Sequence, residues 1–253
     1  RGGPGLGTIQ PSQGDYFQAC KGGGHGDYRL IVLAPASVQE MHDFVALGFD
    51  LAFKYRNPAM ILADGAIGQM MEKVVLAPQR PRKTNEEIAA ECRDWATYGK
   101  PADRPRNVVT SLELQSEAME KINLRLQAKY KAMEENEVRY EALACDDADY
   151  VIVAFGSSAR ICSATVEMAR AEGLKVGLLR PITLYPFPTR PIAELAARVK
   201  GFLSVELNAG QMVEDVRLAV NGAVPVEHYG RQGGMIYSPD ELLAALKEKL
   251  IKA

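Results

Sequence analysis

The sequence predicts an α/β fold built mainly from parallel strands with helices between them. Residues 28–34 (YRLIVLA), a helix-patterned stretch and residues 59–63 (AMILA) make one strand–helix–strand unit, and such a unit closes as a parallel pair. From residue 150 onward, four strand-like runs alternate with four helix-like runs, the pattern of an open sheet with helices on both faces. A 47% apolar share with 25% charged residues supplies the core that such a fold needs and argues against disorder.

The chain opens without Met on Arg1-Gly2-Gly3-Pro4-Gly5-Leu6-Gly7. A glycine loop needs flanking elements to hold its backbone, so this start is expected to be a boundary inside a domain. A short helix is expected over residues 14–21, then the loop Gly22-Gly23-Gly24-His25-Gly26-Asp27. Residues 28–34 form a continuous apolar run of strand length. Pro35 stops it, and Ser37-Val38-Gln39-Glu40 reads as a capping box. Met41, Phe44, Val45, Leu47, Gly48, Leu51 and Ala52 then recur at helical spacing until Asn57-Pro58. The second strand, residues 59–63, ends at Asp64-Gly65.

Over residues 78–110, Pro78, Pro81, Pro101 and Pro105 alternate with Arg, Lys and Asn, the mark of a linker or surface excursion. One short helix is expected inside it, at the capping box Thr84 to Glu87. A long helix is expected over residues 114–143, with Leu114, Ala118, Ile122, Leu126, Tyr130 and Met133 in one stripe. At that length it would span roughly 45 Å, enough to bridge two domains; a coiled-coil or partner helix is the rival reading. Strands follow at 150–155, 175–179, 202–206 and 224–228, and helices at 159–171, 191–199, 212–221 and 239–251. The last helix starts with Ser238 as cap, Pro239 in the first turn and Glu241 at the capping-box position.

Composition excludes several functions. A formal net charge of -2 gives no basic footprint for nucleic acid. No run approaches the ~20 apolar residues that cross a bilayer, and no charged-then-apolar leader stands in the sequence given. Cys20, Cys92, Cys145 and Cys162 are far apart, which argues against a disulfide framework or a local metal or iron–sulfur motif and fits a reducing cytoplasm.

Three features could carry chemistry. The Gly3-Pro4-Gly5-Leu6-Gly7-Thr8 loop lets backbone approach a ligand, but a phosphate cradle needs a strand before it and a helix after. Arg1 offers a fork of donors suited to a carboxylate; an ordinary surface arginine is the alternative. Phe155-Gly156-Ser157-Ser158 joins a strand to a helix like a phosphate-binding turn. It lacks a P-loop lysine and a third glycine, and tight packing explains its glycine equally well. His25 lies among glycines beside Asp27, His42 on a helix and His228 at a strand end. No metal site is expected from three separated histidines, and only His25 has a polar setting suited to ligand contact or proton transfer. Residue chemistry alone names no reaction.

The order of motifs is more specific. Arg1-Gly2-Gly3-Pro4-Gly5-x-Gly7, Pro11-Ser12-Gln13-Gly14-Asp15 and Gly24-His25-Gly26-Asp27 resemble the α-type subunit of 2-oxoacid:ferredoxin oxidoreductases. The likeness continues through Leu33-Ala34-Pro35-x-Ser37-Val38-x-Glu40 and Glu135-Asn136-Glu137-x-Arg139-Tyr140. It extends to Arg180-Pro181-x-Thr183-Leu184-x-Pro186-Phe187-Pro188, Val205-Glu206-x-Asn208-x-Gly210-Gln211-Met212 and Gly230-Arg231-x-Gly233-Gly234. The resemblance implies oxidative decarboxylation of a 2-oxo acid on thiamine diphosphate, with formation of acyl-CoA and reduction of ferredoxin. It implies that residues 1–80 are the later part of a truncated thiamine pyrimidine-binding-type domain. Residues 81–144 would be a linker and connecting helix, and residues 145–253 a transketolase C-terminal-type parallel α/β domain.

By the same resemblance, Arg1 lies near the substrate carboxylate and Gln10 in the substrate-binding loop. Gly5, Gly7, Gln13, Asp15 and His25 are candidates for the surrounding active-site loop. No residue of the chain is assigned as catalytic. The family's Tyr-Pro-Ile-Thr-Pro motif and its pyrimidine-activating glutamate are not found in these residues, so the piece alone is expected to be inactive, with Arg1 idle or disordered. Ile9-Gln10 stand where relatives acting on other acids often carry Leu-Pro-Thr. The loop looks most like the branched-chain type, which acts on 2-oxoisovalerate; pyruvate, 2-oxoglutarate or a non-catalytic assembly role are the alternatives. Thiamine diphosphate and Mg²⁺ would be shared with a β-type partner subunit, and iron–sulfur clusters would sit on partner subunits of a cytoplasmic hetero-oligomer.

Overall fold

The computed structural model describes residues 1–97, 99–100 and 102–251. Pro101, one of the expected linker prolines, lies outside the described residues. The chain divides into two compact units, Arg1–Val75 with Gln127–Ala253, and Leu76–Leu126.

The larger unit opens with an irregular glycine loop and helix α1 (Tyr16–Cys20). Strand β1 (Ile31–Leu33), wholly buried, pairs in parallel with β2 (Ala59–Ile61) through helix α2 (Val38–Tyr55). The strand–helix–strand expectation holds, with shorter strands. Ser37 caps α2 by accepting the Glu40 N–H at 3.1 Å, whereas Glu40 reaches back to the Ala36 N–H at 2.7 Å. Asp64 closes β2 and caps a further helix, α3 (Gly65–Gln69), by accepting the Ala66 and Ile67 N–H groups. At five residues, α3 is too short for periodicity to reveal.

The smaller unit contains α4 (Asn85–Glu91), with its Thr84 and Glu87 capping box complete. Asn107 ties its loops by donating to the Arg93 and Ala96 carbonyls, each at 3.0 Å. Helix α5 (Ser116–Asn136) begins in this unit.

The expected helix over residues 114–143 is too long. Helix α5 has 21 residues, roughly 30 Å, and Tyr140–Leu143 is instead strand β3, antiparallel to β5 (Val176–Pro181). The Arg139 carbonyl accepts the Ile182 and Thr183 N–H groups, and the Arg139 N–H donates to Thr183 Oγ1. This ladder overrides the helix preference of Glu, Ala and Leu, and the exposed side chains of β3 leave no burial pattern to read. Burial would raise the pKa of Glu137. Bonds from Lys54 (2.6 Å) and Tyr55 (2.7 Å) outweigh it and hold the carboxyl below its usual range, fastening the end of α5 to α2.

The rest alternates as expected apart from an additional strand, β6: β4 (Tyr150–Val153), α6 (Gly156–Ala171), β5 (Val176–Pro181), β6 (Thr183–Tyr185), α7 (Thr189–Ala196), β7 (Gly201–Glu206), α8 (Met212–Val220), β8 (Val226–Gly230) and α9 (Pro239–Leu246). Ser238 caps α9 with Pro239 in its first turn, and the helix continues into a π-helical turn at Lys247–Ile251. The sheet order is β3-β5-β4-β7-β8, parallel except for β3. Every residue of β5 and β7 is buried, as expected for strands covered on both faces. One core joins Ile152, Leu178, Leu203 and Val205 of the sheet to Cys162 and Val166 of α6 and to Leu242 and Leu246 of α9. Strand β6, which periodicity does not mark, leaves this region and pairs antiparallel with β1 in a second sheet, β2-β1-β6. All four cysteines are buried and free.

Two buried charges organise the unit. Arg180 on β5 grips both oxygens of Glu40 on α2, at 2.9 and 2.7 Å, and reaches Glu141 of β3 at 2.9 Å. Glu206, fully buried at the end of β7, accepts the Gln211, Met212 and Val213 N–H groups and so caps α8. His228 of β8 stands beside it, Nε2 to Oε1 3.8 Å. Burial pulls the His228 pKa below its usual 6.5; Glu206 opposes this, and Arg217 and Lys249 add to it.

Removing one partner of a buried ion pair strands the other. Glu40→Ala should lower the unfolding free energy by roughly 3 kcal/mol in urea denaturation; a loss below about 1 kcal/mol would show that Glu141 alone satisfies Arg180. Because folding favours neutral His228, its contribution to stability is complete above pH 6.5 and is lost as pH falls through its lowered folded pKa. An NMR titration of the ring should have its midpoint below 6.5; a midpoint above it would mean that attraction to Glu206 wins.

Candidate active site

From β4 the chain moves to β5 on one side, while β7 adds on the other. Open α/β sheets bind ligands in the crevice beyond the carboxyl ends of such a strand pair. Here the crevice is filled by Gln13. Its Nε2 donates to the Phe155 carbonyl after β4 (2.8 Å), and its Oε1 accepts from Ser158 Oγ (2.7 Å) and the Leu207 N–H (3.0 Å). Its backbone N–H donates to the Leu207 carbonyl, and its own carbonyl accepts from Asn208 Nδ2. Tyr237 Oη donates to Ser158 Oγ at 2.5 Å and extends the network into the core. Gln211 adds a clasp, accepting the Phe17 N–H and donating to the Gly14 carbonyl. The Pro11-Ser12-Gln13-Gly14-Asp15 and Asn208-x-Gly210-Gln211 motifs, far apart in sequence, thus meet.

The turn at Gly156-Ser157-Ser158 does not present an open phosphate cradle. Asp64 accepts the Ser157 hydroxyl at 2.8 Å and the Ser157 N–H at 3.3 Å, while Gln13 engages Ser158. Gly156 has φ +56°, and a Cβ there would lie 3.2 Å from Gln13 Nε2. Close packing accounts for this glycine.

Residues 2–10 form a loop that closes on itself. The Gly2 N–H donates to the Gln10 carbonyl at 3.0 Å, and the Thr8 N–H to the Gly2 carbonyl at 2.8 Å. Gly7, at φ +62°, has no room for a Cβ because the Gly2 carbonyl lies against it, while Gly5, at φ +71°, is open. Thr8 Oγ1 donates to the Gly233 carbonyl at 3.0 Å. Arg1 is exposed and lines a recess of about 20 Å³ with Ser12, Gln13, Asp15, Asp64 and Gly156, enough for a water molecule.

The structure therefore groups Arg1, Gln13 and Asp15 and puts Gly5, Gly7 and Gln10 on the adjoining loop. His25 is exposed on a separate glycine loop, whose Gly23 and Gly24 N–H groups donate to Tyr28 Oη, and it does not line the recess. Thr8 and Ser158 lie in segments that the sequence singles out, whereas Asp64 is a site residue that sequence reasoning does not single out; the Asp64-Gly65 cap after an apolar strand is the signal that marks it. Among the described residues, no group of three or more His, Cys, Asp or Glu side chains is placed to hold a metal.

Gln13→Ala would leave the Leu207 N–H, the Ser158 hydroxyl and the Phe155 carbonyl without this partner in a buried crevice. It should cost about 2–4 kcal/mol, read as a fall in the denaturation midpoint. A variant as stable as the parent would remove Gln13 as the keystone of this region.

Residues 1–141 match the family model described as pyruvate flavodoxin/ferredoxin oxidoreductase, thiamine diphosphate-binding, and residues 148–242 match pyruvate:ferredoxin oxidoreductase core domain II. The chain is 49% identical over 250 residues to ketoisovalerate oxidoreductase subunit VorB of Methanothermobacter thermautotrophicus, covering 98% of this chain and 68% of that protein. It is 36% identical over 263 residues to 2-oxoglutarate synthase subunit KorA of Methanothermobacter marburgensis, covering 96% of this chain and 70% of that one. The solved 2-oxoglutarate:ferredoxin oxidoreductase of Magnetococcus marinus shares the fold, with TM-score 0.78 and 23% identity over 98% of this chain and 47% of its own. The two family matches, together with similarity to VorB over nearly the whole of this chain, place the chain among the α-type subunits of the 2-oxoacid:ferredoxin oxidoreductases.

Proposed function

We propose that the chain is part of a thiamine diphosphate-dependent enzyme that converts 2-oxoisovalerate and CoA to acyl-CoA and CO₂, passing the electrons to ferredoxin. The observation that carries this is the 49% identity to the ketoisovalerate subunit, against 36% or less to the 2-oxoglutarate subunits. The loop chemistry supports it. Arg1 supplies a charged fork for the acid end, while Leu6 and Ile9 on the same loop are 82% and 78% exposed and suit a branched apolar tail better than a second carboxylate.

The chain's residues do not fit the cofactor by themselves. The recess beside Arg1 is far too small for it, and the described residues offer no acidic cluster for a diphosphate-bound cation. The reading therefore assigns thiamine diphosphate and Mg²⁺ to a site shared with a β-type subunit and the iron–sulfur clusters to partner subunits. The enzyme would work in the cytoplasm; no helix among the described residues is long and apolar enough to cross a membrane. Within that assembly Arg1 orients the substrate: pairing with the carboxylate fixes one end so that the 2-oxo carbon is presented in one pose.

The assembled complex should turn over 2-oxoisovalerate with CoA and ferredoxin, and preference for pyruvate or 2-oxoglutarate would reject the substrate assignment. Arg1→Lys, which replaces a bidentate fork by a point charge, should raise KM for the 2-oxo acid with a smaller change in kcat. Unchanged kinetics would remove Arg1 from the site.

A further inference from the structure

We infer that the turn carrying Gly233 and Gly234, close to the carboxyl terminus, is a positioning element for the substrate loop of residues 2–10. The inference rests on the reading of Arg1 and Gln10 as substrate-facing. That loop has no helix or strand of its own, so its shape depends on what it touches.

Two kinds of contact define the meeting. The Thr8 hydroxyl donates to the Gly233 carbonyl at 3.0 Å, a hydrogen bond across 225 residues of sequence. The surfaces also meet where only glycine fits. A Cβ on Gly2 would lie 2.6 Å from Thr8 Oγ1 and 2.7 Å from the Gly233 carbonyl carbon, and one on Gly234 would lie 2.7 Å from Thr8 Oγ1 and run into the Gln10 side chain. Gly233 and Gly234 have φ of +66° and +96°, so the turn keeps its form at little cost only with glycine.

The turn is itself anchored. The Arg231 N–H donates to the Glu206 carbonyl at the end of β7, Arg231 pairs with Glu241 of α9 at 2.6 Å, and Gln232 Nε2 reaches the Asn208 carbonyl at 3.4 Å. The path from sheet to turn to Thr8 and Gln10 sets where Arg1 and the acyl-facing side chains stand. Because reacting groups displaced by about an ångström can lose a hundredfold in rate, the turn acts on the choice and placement of the acid without touching it.

The test uses the assembled complex and steady-state kinetics with 2-oxoisovalerate, 2-oxobutanoate and CoA varied separately. Thr8→Val removes the hydroxyl with little change of shape, Thr8→Ser keeps it, and Gly234→Ala pushes on Gln10. Thr8→Val and Gly234→Ala should raise KM for 2-oxoisovalerate roughly tenfold or more and change its ratio to that for 2-oxobutanoate, leaving KM for CoA in place; Thr8→Ser should restore parental values. If Gly234→Ala fails to assemble, the two Thr8 variants decide. Unchanged acid KM in Thr8→Val, or equal changes for the acid and CoA, would overturn the inference. A parental complex that prefers another 2-oxo acid would instead defeat the substrate assignment, and the same comparison on that acid still decides the role of the turn.

Discussion

Gln13 fills the one place where this kind of sheet is most open. From β4 the chain goes on to β5 on one side while β7 lies on the other, and the backbone groups beyond the carboxyl ends of β4 and β7 must find partners or stay wet. A single side-chain amide, able to donate and accept in one plane, satisfies Phe155 and Leu207 and recruits Ser158. The segment before α1 is thereby pinned, and so is the start of α6. The recess beside Arg1 and the crossing of the glycine loop to the far turn both depend on that pin.

Around it, charges are used in short-range pairs and caps. Arg180 joins α2 to the edge of the five-stranded sheet through Glu40 and Glu141. Glu206 ends β7 and starts α8 in one residue. Asp64 does the same between β2 and α3, and its second oxygen helps hold α6. These residues stand where one element hands over to the next, which is where backbone N–H groups have no partner of their own. The fold is held at its joints as well as by its core.

Much of this was legible in the sequence. The alternation from Tyr150 onward, the parallel pair around α2 and the caps at Ser37, Thr84 and Ser238 follow from local patterns, and the structure carries them. Local patterns failed where partners lie far away. Tyr140–Leu143 is a strand because β5 offers an edge, and Thr183–Tyr185 is one because β1 does. The site divides in the same way. The resemblance marks Arg1, the glycine loop and Gln13 as site candidates, but nothing local to Gln13 gives it its place at the centre of a network. Its importance lies in partners 142 to 195 positions away, and no window of sequence contains them.

The keystone network is made of two amides, two hydroxyls and backbone groups, with no formal charge among them. Burial drives the Tyr237 phenol well above its usual range, which favours its neutral form. Screening by dissolved salt, which weakens surface ion pairs, has no charge to act on there. Residues 11–15 should therefore remain seated at ionic strengths that loosen Lys21 from Asp215 just beyond the other end of α1, so the two ends of this short helix answer differently to dissolved salt.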